Sequence, residues 1–447
     1  MSSIICALSW CLLLPLLTFL FLADPGFVRL PPGETHLSRP LALPATSTHL
    51  RILGDPAGST LVLDPDFQGA AAIAITGGTD VELSGFTIIG NRSELKSDWY
   101  LPLNEAAFAD FYSANGILVR NSHHVVIRKV RFRLVRAFPV LVNASSAITI
   151  DNVDIEDSGT LNRAGRNNTT GGILLEEGVS QFEVRNSRLS SISGNAIWTH
   201  SYSRSPRQSA GHIHGNTIQT VGRDAIQIGH ATNVLVENND GASLGFPTSF
   251  VDVENHGVAV ALDTAGNVDH TTYRDNHFTD VNGQCIDLDG FHHGDVTANS
   301  CINEKPADAY PASHYGIVFG NNHPAADSSY INLSGNTLQG FAYGAVFVIG
   351  THNTIRNNRF LDVNRAHCGE TALTARCNYA LAEQPLLLKS GIYLAANGGR
   401  PATTRDNVIR GNTITGFGIP ASCVASDPAV SLAANTISGN ICTENTQ

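Results

Sequence analysis

Positive charge is scarce in this chain. Lys and Arg number 28 against 39 Asp and Glu, giving a formal net charge of −11 over 447 residues, and no basic cluster stands out. That balance speaks against a nucleic-acid phosphate backbone as a partner. Charged residues make up only 15%, below the roughly 25% usual for globular domains, while 42% are hydrophobic. Such a chain buries a large core, which excludes disorder and collagen. Long apolar runs are also lacking, with one exception. Ile4 to Leu22 is almost unbroken and is followed by Ala23, Asp24 and Pro25. Residues 1–23 therefore read as a secretory signal peptide or an N-terminal anchor. No Lys or Arg precedes the run, and its 19 residues are long for a signal core. No later segment is apolar enough to span a bilayer, so membrane contact beyond an anchor is not expected. Residues 24–447 are read as one domain.

Cysteine is sparse but even in number. Cys6 and Cys11 fall in the apolar run, leaving Cys285, Cys301, Cys368, Cys377, Cys423 and Cys442. Six cysteines beyond an export segment fit an oxidising compartment, so the protein is expected to be secreted, periplasmic or at the cell surface. None is spaced like a zinc site. Cys368/Cys377 and Cys423/Cys442 are the natural local pairs, although six cysteines allow fifteen connectivities.

Helical periodicity is absent as well, which excludes leucine-rich and helical repeats. What the chain has instead is self-similarity. GILVRN at Gly116, PVLVNA at Pro139, GILLEE at Gly172, AIWTHS at Ala196, AIQIGH at Ala225, AVALDT at Ala259, CIDLDG at Cys285, GIVFGN at Gly316, AVFVIG at Ala345 and GIYLAA at Gly391 align without gaps. Their starts are 23 to 46 residues apart. The first residue is small, and the second and fourth are apolar with Thr199 as the one exception. Side chains alternate along a strand, so the apolar pair points into a common core. A second repeat, of the type IHGNTI, follows and carries Asn216, Asn239, Asn276, Asn299, Asn336, Asn358, Asn412 and Asn440 in one register. Asn tolerates the left-handed backbone, and its amide can bond its counterpart one coil away, so these residues predict a stacked ladder at a bend.

With these repeats the chain resembles the right-handed parallel β-helix proteins of the pectin-lyase-like superfamily. The resemblance covers roughly Leu30 to Cys442 and includes an opening segment at 27–44. It implies an all-β, single-domain solenoid of about a dozen coils with an Asn ladder. It leaves the chemistry open, because this superfold hosts hydrolases, lyases, esterases, epimerases and adhesins.

Insertions are expected to mark the working face. They gather at both edges of the first-strand sheet, at 93–114, 157–171, 201–210, 241–256, 303–315 and 365–390. Loop walls around a sheet floor would make a groove for an extended polymer. Outward floor residues are the third and fifth of each repeat, and polar ones concentrate in the middle rungs with aromatics around them. That pattern suits a sugar site.

The gapless alignment sets Asp263 level with Asp289 on consecutive coils, about 4.8 Å apart in backbone, with Asp287 roughly 6.5–7 Å along the strand. Crowded carboxylates raise at least one pKa, which suits a general acid. Either glycosidase spacing, about 5–5.5 Å or roughly 6.5–9.5 Å, falls within reach. Catalysis is therefore assigned to Asp263, Asp287 and Asp289, with His292 or His293 beside them moving a proton. The alternatives are solvated carboxylates or a Ca²⁺ site. No cofactor is required under hydrolysis. Glu176, Trp198, His200, Gln227, His230 and Tyr393 are assigned to substrate binding. Polygalacturonase-like hydrolases carry Asn-Thr-Asp and an Asp-Asp pair on adjacent coils, followed by Gly-His-Gly and Arg-Ile-Lys. Here Ala261-Leu262-Asp263 and Asp287-Leu288-Asp289 are similar in placing Asp on adjacent coils, whereas the latter two elements are absent.

The expected function is an exported enzyme that hydrolyses glycosidic bonds of a polysaccharide. A β-eliminating lyase or uronate epimerase with calcium is the first alternative, and a non-catalytic glycan-binding or surface solenoid the second. A monomer and a trimer both fit.

Overall fold

The computed structural model describes residues 26–43, 48–100, 106–250, 258–368, 377, 383–421 and 423–445. The expected signal or anchor at 1–23 lies outside them. Among the described residues no helix is long and apolar enough to cross a membrane.

Each coil is three short strands. In one coil these are Gly171–Glu176, Ser180–Arg185 and Arg188–Ile192. Every strand pairs in parallel with its equivalents in the neighbouring coils, as Gly171–Glu176 does with Val140–Asn143 and Asn195–His200. The first two faces merge into one 26-stranded sheet, and the third forms a 14-stranded sheet. The product is the expected parallel β-helix. Its core lies inside the tube, where the second and fourth residues of the rungs stack. Ile173 and Leu175 in one coil meet Ile197 in the next, all fully buried. Each such side chain contributes roughly 1.5–3 kcal/mol of burial, and stacking repeats that gain along the axis.

All eight ladder residues are found in one stack. Asn216 Nδ2 donates to Asn239 Oδ1 at 2.9 Å, Asn239 to Asn276 at 2.9 Å and Asn276 to Asn299 at 2.9 Å. The series continues through Asn336, Asn358, Asn412 and Asn440 at 2.9–3.1 Å. The residue before each ladder Asn, such as Asn238 or Asp275, adopts positive φ, which makes the sharp corner. Three disulfides close Cys285–Cys301, Cys368–Cys377 and Cys423–Cys442. The last two are the local pairs. Cys285 and Cys301 are both fully buried, so their bond crosses the interior of a single coil.

Two expectations change. The long insertions do not all stand as walls. A one-turn helix at Phe108–Phe111 lies on the floor, packing Phe108, Ala109 and Tyr112 over Leu118, Leu141 and Leu174. At the other end Leu388 and the Cys368–Cys377 link pack with Tyr315 and Tyr343, while Leu387 reaches Phe347 and Tyr393. Among the described residues the floor is thus covered at both ends, and no such apolar cluster lies over the middle rungs.

The second change is register. Asp263 pairs with Asp287, and on its other side with Gln227, so it is two residues out of the gapless alignment. Ala261 is the small residue that opens the rung, and Thr264 takes the inward fourth place. Thr264 is tolerated there because its Oγ1 donates to the Asp287 carbonyl at 3.1 Å. An apolar Val260 had made the wrong register look equally good.

Candidate functional site

In true register the outward column through the open window runs Trp198, Gln227, Asp263, Asp287 and then Val318. Neighbours in this column sit about 4.8 Å apart in backbone. Parallel pairing places the three polar residues side by side at mid-solenoid.

Gln227 organises them. Its Oε1 accepts from Asn195 Nδ2 at 2.8 Å, and its Nε2 donates to Asp263 Oδ2. Asp263 is 7% exposed. Burial pushes its carboxyl well above the carboxylate range, and the charges of Asp224 and Asp287 push further against the Gln227 hydrogen bond. Asp287 is raised too, by burial first and then by Asp289 and Asp224. Its Oδ1 is buried with no hydrogen-bond partner. Two adjacent carboxyls that cannot both ionise hold at least one proton between them.

Asp224 was not singled out in the sequence. It sits just before the Ala225 rung, where Asn115 and Asn195 stand in their own coils, and that repeated polar residue was a usable signal. Asp224 Oδ1 accepts from Val260 N at 3.1 Å, Oδ2 lies 3.4 Å from Arg223 Nε, and burial raises its carboxyl to about 6 against the pull of Arg223.

Asp289 differs from its neighbours. Its Oδ1 and Oδ2 accept from Asn322 N at 2.7 Å and Asn322 Nδ2 at 3.0 Å, which ties the loop after Gly320 to the floor.

Beside the carboxyls lies a cleft of about 470 Å³. It brings together four of the expected binding residues, Trp198, His200, Gln227 and His230, and adds Phe108, Tyr202, Arg223 and His323. Trp198 and Phe108 rings meet at 5.1 Å, and His200 touches both and Tyr202 at 5.0–5.2 Å. Burial, then the charge of His230, lowers His200 to about 4, so its imidazole is neutral at ordinary pH. Its Nδ1 is buried with no partner.

The remaining expected residues lie apart. Glu176 is fully buried under the short helix, where Oε2 accepts from Phe108 N and Oε1 from Ala109 N, both at 2.8 Å. Burial raises it to about 7 in spite of those bonds. Tyr393 is 1% exposed beneath Leu386 and Leu387, three rungs beyond Asp287. His292 and His293 are around the corner on the second face. His292 Nε2 meets Asn267 Oδ1 at 2.9 Å, its Nδ1 meets His293 Nδ1 at 2.9 Å, and His293 stacks on Tyr330. The alternation that brings Asp287 to the floor ends at Gly290, whose positive φ turns the chain away.

For a metal, two groups among the described residues have convergent ligand atoms. They are Glu176, Glu177 and His200, and Glu183, His212 and His214; the three aspartates Asp263, Asp287 and Asp289 do not form such a group.

The sequence profile described as a right handed beta helix region matches residues 71–241 and 257–447. A search of curated proteins by sequence finds no match. Solved structures are similar at the level of fold. The surface adhesin PfbA of Streptococcus pneumoniae aligns at TM-score 0.56 and 16% identity, over 77% of this chain and 85% of that one. The GH136 lacto-N-biosidase of Eubacterium ramulus aligns at 0.52 and 14%, over 88% and 62%. A mutant tailspike of E. coli bacteriophage HK620, in complex with a hexasaccharide, aligns at 0.53 and 10%, over 90% and 71%.

Proposed function

The chain belongs to the right-handed β-helix family, and from that premise we propose that it is an exported carbohydrate-active enzyme that hydrolyses a glycosidic bond of a polysaccharide held across the central cleft. The observation that carries this reading is the pair Asp263 and Asp287, carboxyls on adjacent rungs that hold at least one proton between them beside a cleft walled by Trp198 and Phe108. Aromatic walls suit pyranose faces, and a raised carboxyl suits proton donation to a leaving oxygen. By name, two of the similar structures are a lacto-N-biosidase and a saccharide-bound tailspike, which supports a glycan as the ligand. Three disulfides support an oxidising, extracellular or surface location.

In this mechanism Asp287 is the general acid. Its proton goes to the glycosidic oxygen as the bond to the anomeric carbon breaks. Asp289, two residues along on the same strand face, takes a proton from the attacking water as the base of an inverting pair. Burial, and then the charges of Asp289 and Asp224, keep Asp287 protonated, while Gln227 fixes Asp263 beside it. His200, neutral, lines the cleft among Trp198, Phe108 and Tyr202 and presents its ring to the sugar. His292 and His293 take no step here.

A second reading is a glycan-binding cleft without turnover. It is favoured by the lining itself, which among the described residues holds aromatics, amides, hydroxyls, imidazoles and Arg223 but no carboxylate.

The test is incubation of the purified protein with neutral and uronic polysaccharides, with Ca²⁺ and with chelator. New reducing ends without ultraviolet absorbance, reduced about 10³-fold by Asp287→Asn, are the expected result. Absorbance of an unsaturated uronate that chelator abolishes would replace hydrolysis with calcium-dependent elimination. Binding that is lost in Trp198→Ala, with no product from any polymer, would establish the second reading.

A further inference from the structure

On the face next to the floor, strand Gln208–His214 ends in His212-Ile213-His214. Alternation sends Ile213 into the core, where it is fully buried, and sends both imidazoles outward. Their rings stack with centroids 3.9 Å apart. The register sets Glu183 beside His212 on one neighbouring coil and Glu237 beside His214 on the other. The contacts are diagonal. His214 Nε2 meets Glu183 Oε1 at 3.0 Å, and His212 Nε2 meets Glu237 Oε1 at 3.0 Å. One ligand atom from each of Glu183, His212 and His214 lies within 4.8 Å of the others.

We infer that Glu183, His212 and His214 form a binding site for a divalent transition-metal ion of the zinc class, separate from the cleft. The donor set selects the ion. Two imidazole nitrogens and one carboxylate oxygen suit zinc, copper or nickel, whereas calcium and magnesium take oxygens. Zinc bonds of about 2.0–2.1 Å place tetrahedral ligands about 3.3 Å apart, so the two imidazoles turn out of their stack to close the set. A two-residue spacing on one strand is pre-organised, because both histidines already share a face. The fourth position opens to solvent, since the side chains of Glu183, His212 and His214 are 30%, 36% and 25% exposed. Glu237 braces His212 from the far side, as a carboxylate behind a metal-bound imidazole does. Arg185, which meets Glu183 at 3.0 Å, also lies 3.2 Å from Asp151 and so keeps a partner when Glu183 turns to the ion. Bound there, the ion links the coil of Glu176 to that of Trp198, and through Glu237 reaches the coil of Gln227.

The experiment uses the untagged protein, stripped with chelator and titrated with zinc chloride in a calorimeter, with metal content measured after gel filtration. One zinc per chain and a rise in melting temperature are expected. His212→Ala and His214→Ala should each weaken binding at least tenfold, and Glu183→Gln should weaken it by less. The metal-free melting temperature of each variant shows whether it folds, and Glu183→Gln tests the site should a histidine variant fail to. A flat titration of the wild type, or an unchanged zinc stoichiometry in a folded His212→Ala/His214→Ala variant, overturns the assignment.

Discussion

Asp263 and Asp287 are register partners on adjacent strands, and the environment keeps both carboxyls from ionising in the ordinary range. Their stacking in one column places an acidic proton beside the cleft wall. Such an arrangement costs stability as pH rises. Each group is raised in the folded chain above its unfolded value near 3.8. The neutral form therefore stabilises the fold fully below that value, and the contribution is lost as pH climbs through the folded pKa.

The first prediction follows from that sign. Between about pH 3 and 8, Asp287→Asn should melt higher than wild type by about 1–3 °C at the alkaline end and show no gain at the acid end. Scanning calorimetry across the range reads the difference. A gain at the acid end instead would mean that Asp287 is ionised in the folded chain.

Asn276 sits mid-ladder. Its Nδ2 donates to Asn299 Oδ1 and to the Val236 carbonyl, both at 2.9 Å, and its Oδ1 accepts from Asn239 Nδ2 at 2.9 Å. Asn276→Ala leaves several buried groups unsatisfied and should cost about 2–4 kcal/mol in denaturant unfolding. Asn440→Ala, at the last position, should cost about 1 kcal/mol.

The Cys285–Cys301 bond closes a loop of sequence separation 16 inside the tube. Cys285→Ala/Cys301→Ala should lose about 3 kcal/mol. Because both sulfurs are buried, dithiothreitol without denaturant should leave this bond intact, as mass spectrometry after alkylation can check.

Glu176 holds the Phe108–Phe111 helix on the floor, and its carboxyl is raised to about 7 by burial. Its neutral form favours docking, so docking weakens as pH rises through that value. Trp198 emission should shift to the red over this interval in wild type and at every pH in Glu176→Ala, while Glu176→Gln should show a flatter pH response.

The solenoid was legible because its core is periodic. A small residue and an inward pair recur in ten rungs and a ladder Asn in eight coils, and each has one physical reason to be there. The site was legible only in outline. Asp263, Asp287, Gln227, Trp198 and His200 were found because polar and aromatic residues gather at the outward third and fifth places of the middle rungs. The level of Asp263 was not, since Val260-Ala261-Leu262-Asp263-Thr264 offers two candidate inward pairs, Val260/Leu262 and Leu262/Thr264, and only the neighbouring coils decide between them. Glu176 and Tyr393 looked exposed because alternation says which way a side chain points, not what insertion later covers it. His292 and His293 looked adjacent to the aspartates because distance along a chain ignores the corner at Gly290.

The two covered ends of the floor have a consequence for what can enter. From Trp198 to Asp287 is three rungs, about 14 Å. Beyond Asp287, Phe347 and Tyr393 lie under Leu387, and before Trp198 the floor lies under Phe108 and Tyr112. A polymer cannot thread the length of the solenoid as a rope lies in a gutter. It has to present a terminus, a branch or a sharp bend to a porthole a few sugars wide, so selectivity is set by the local shape of the glycan more than by its length.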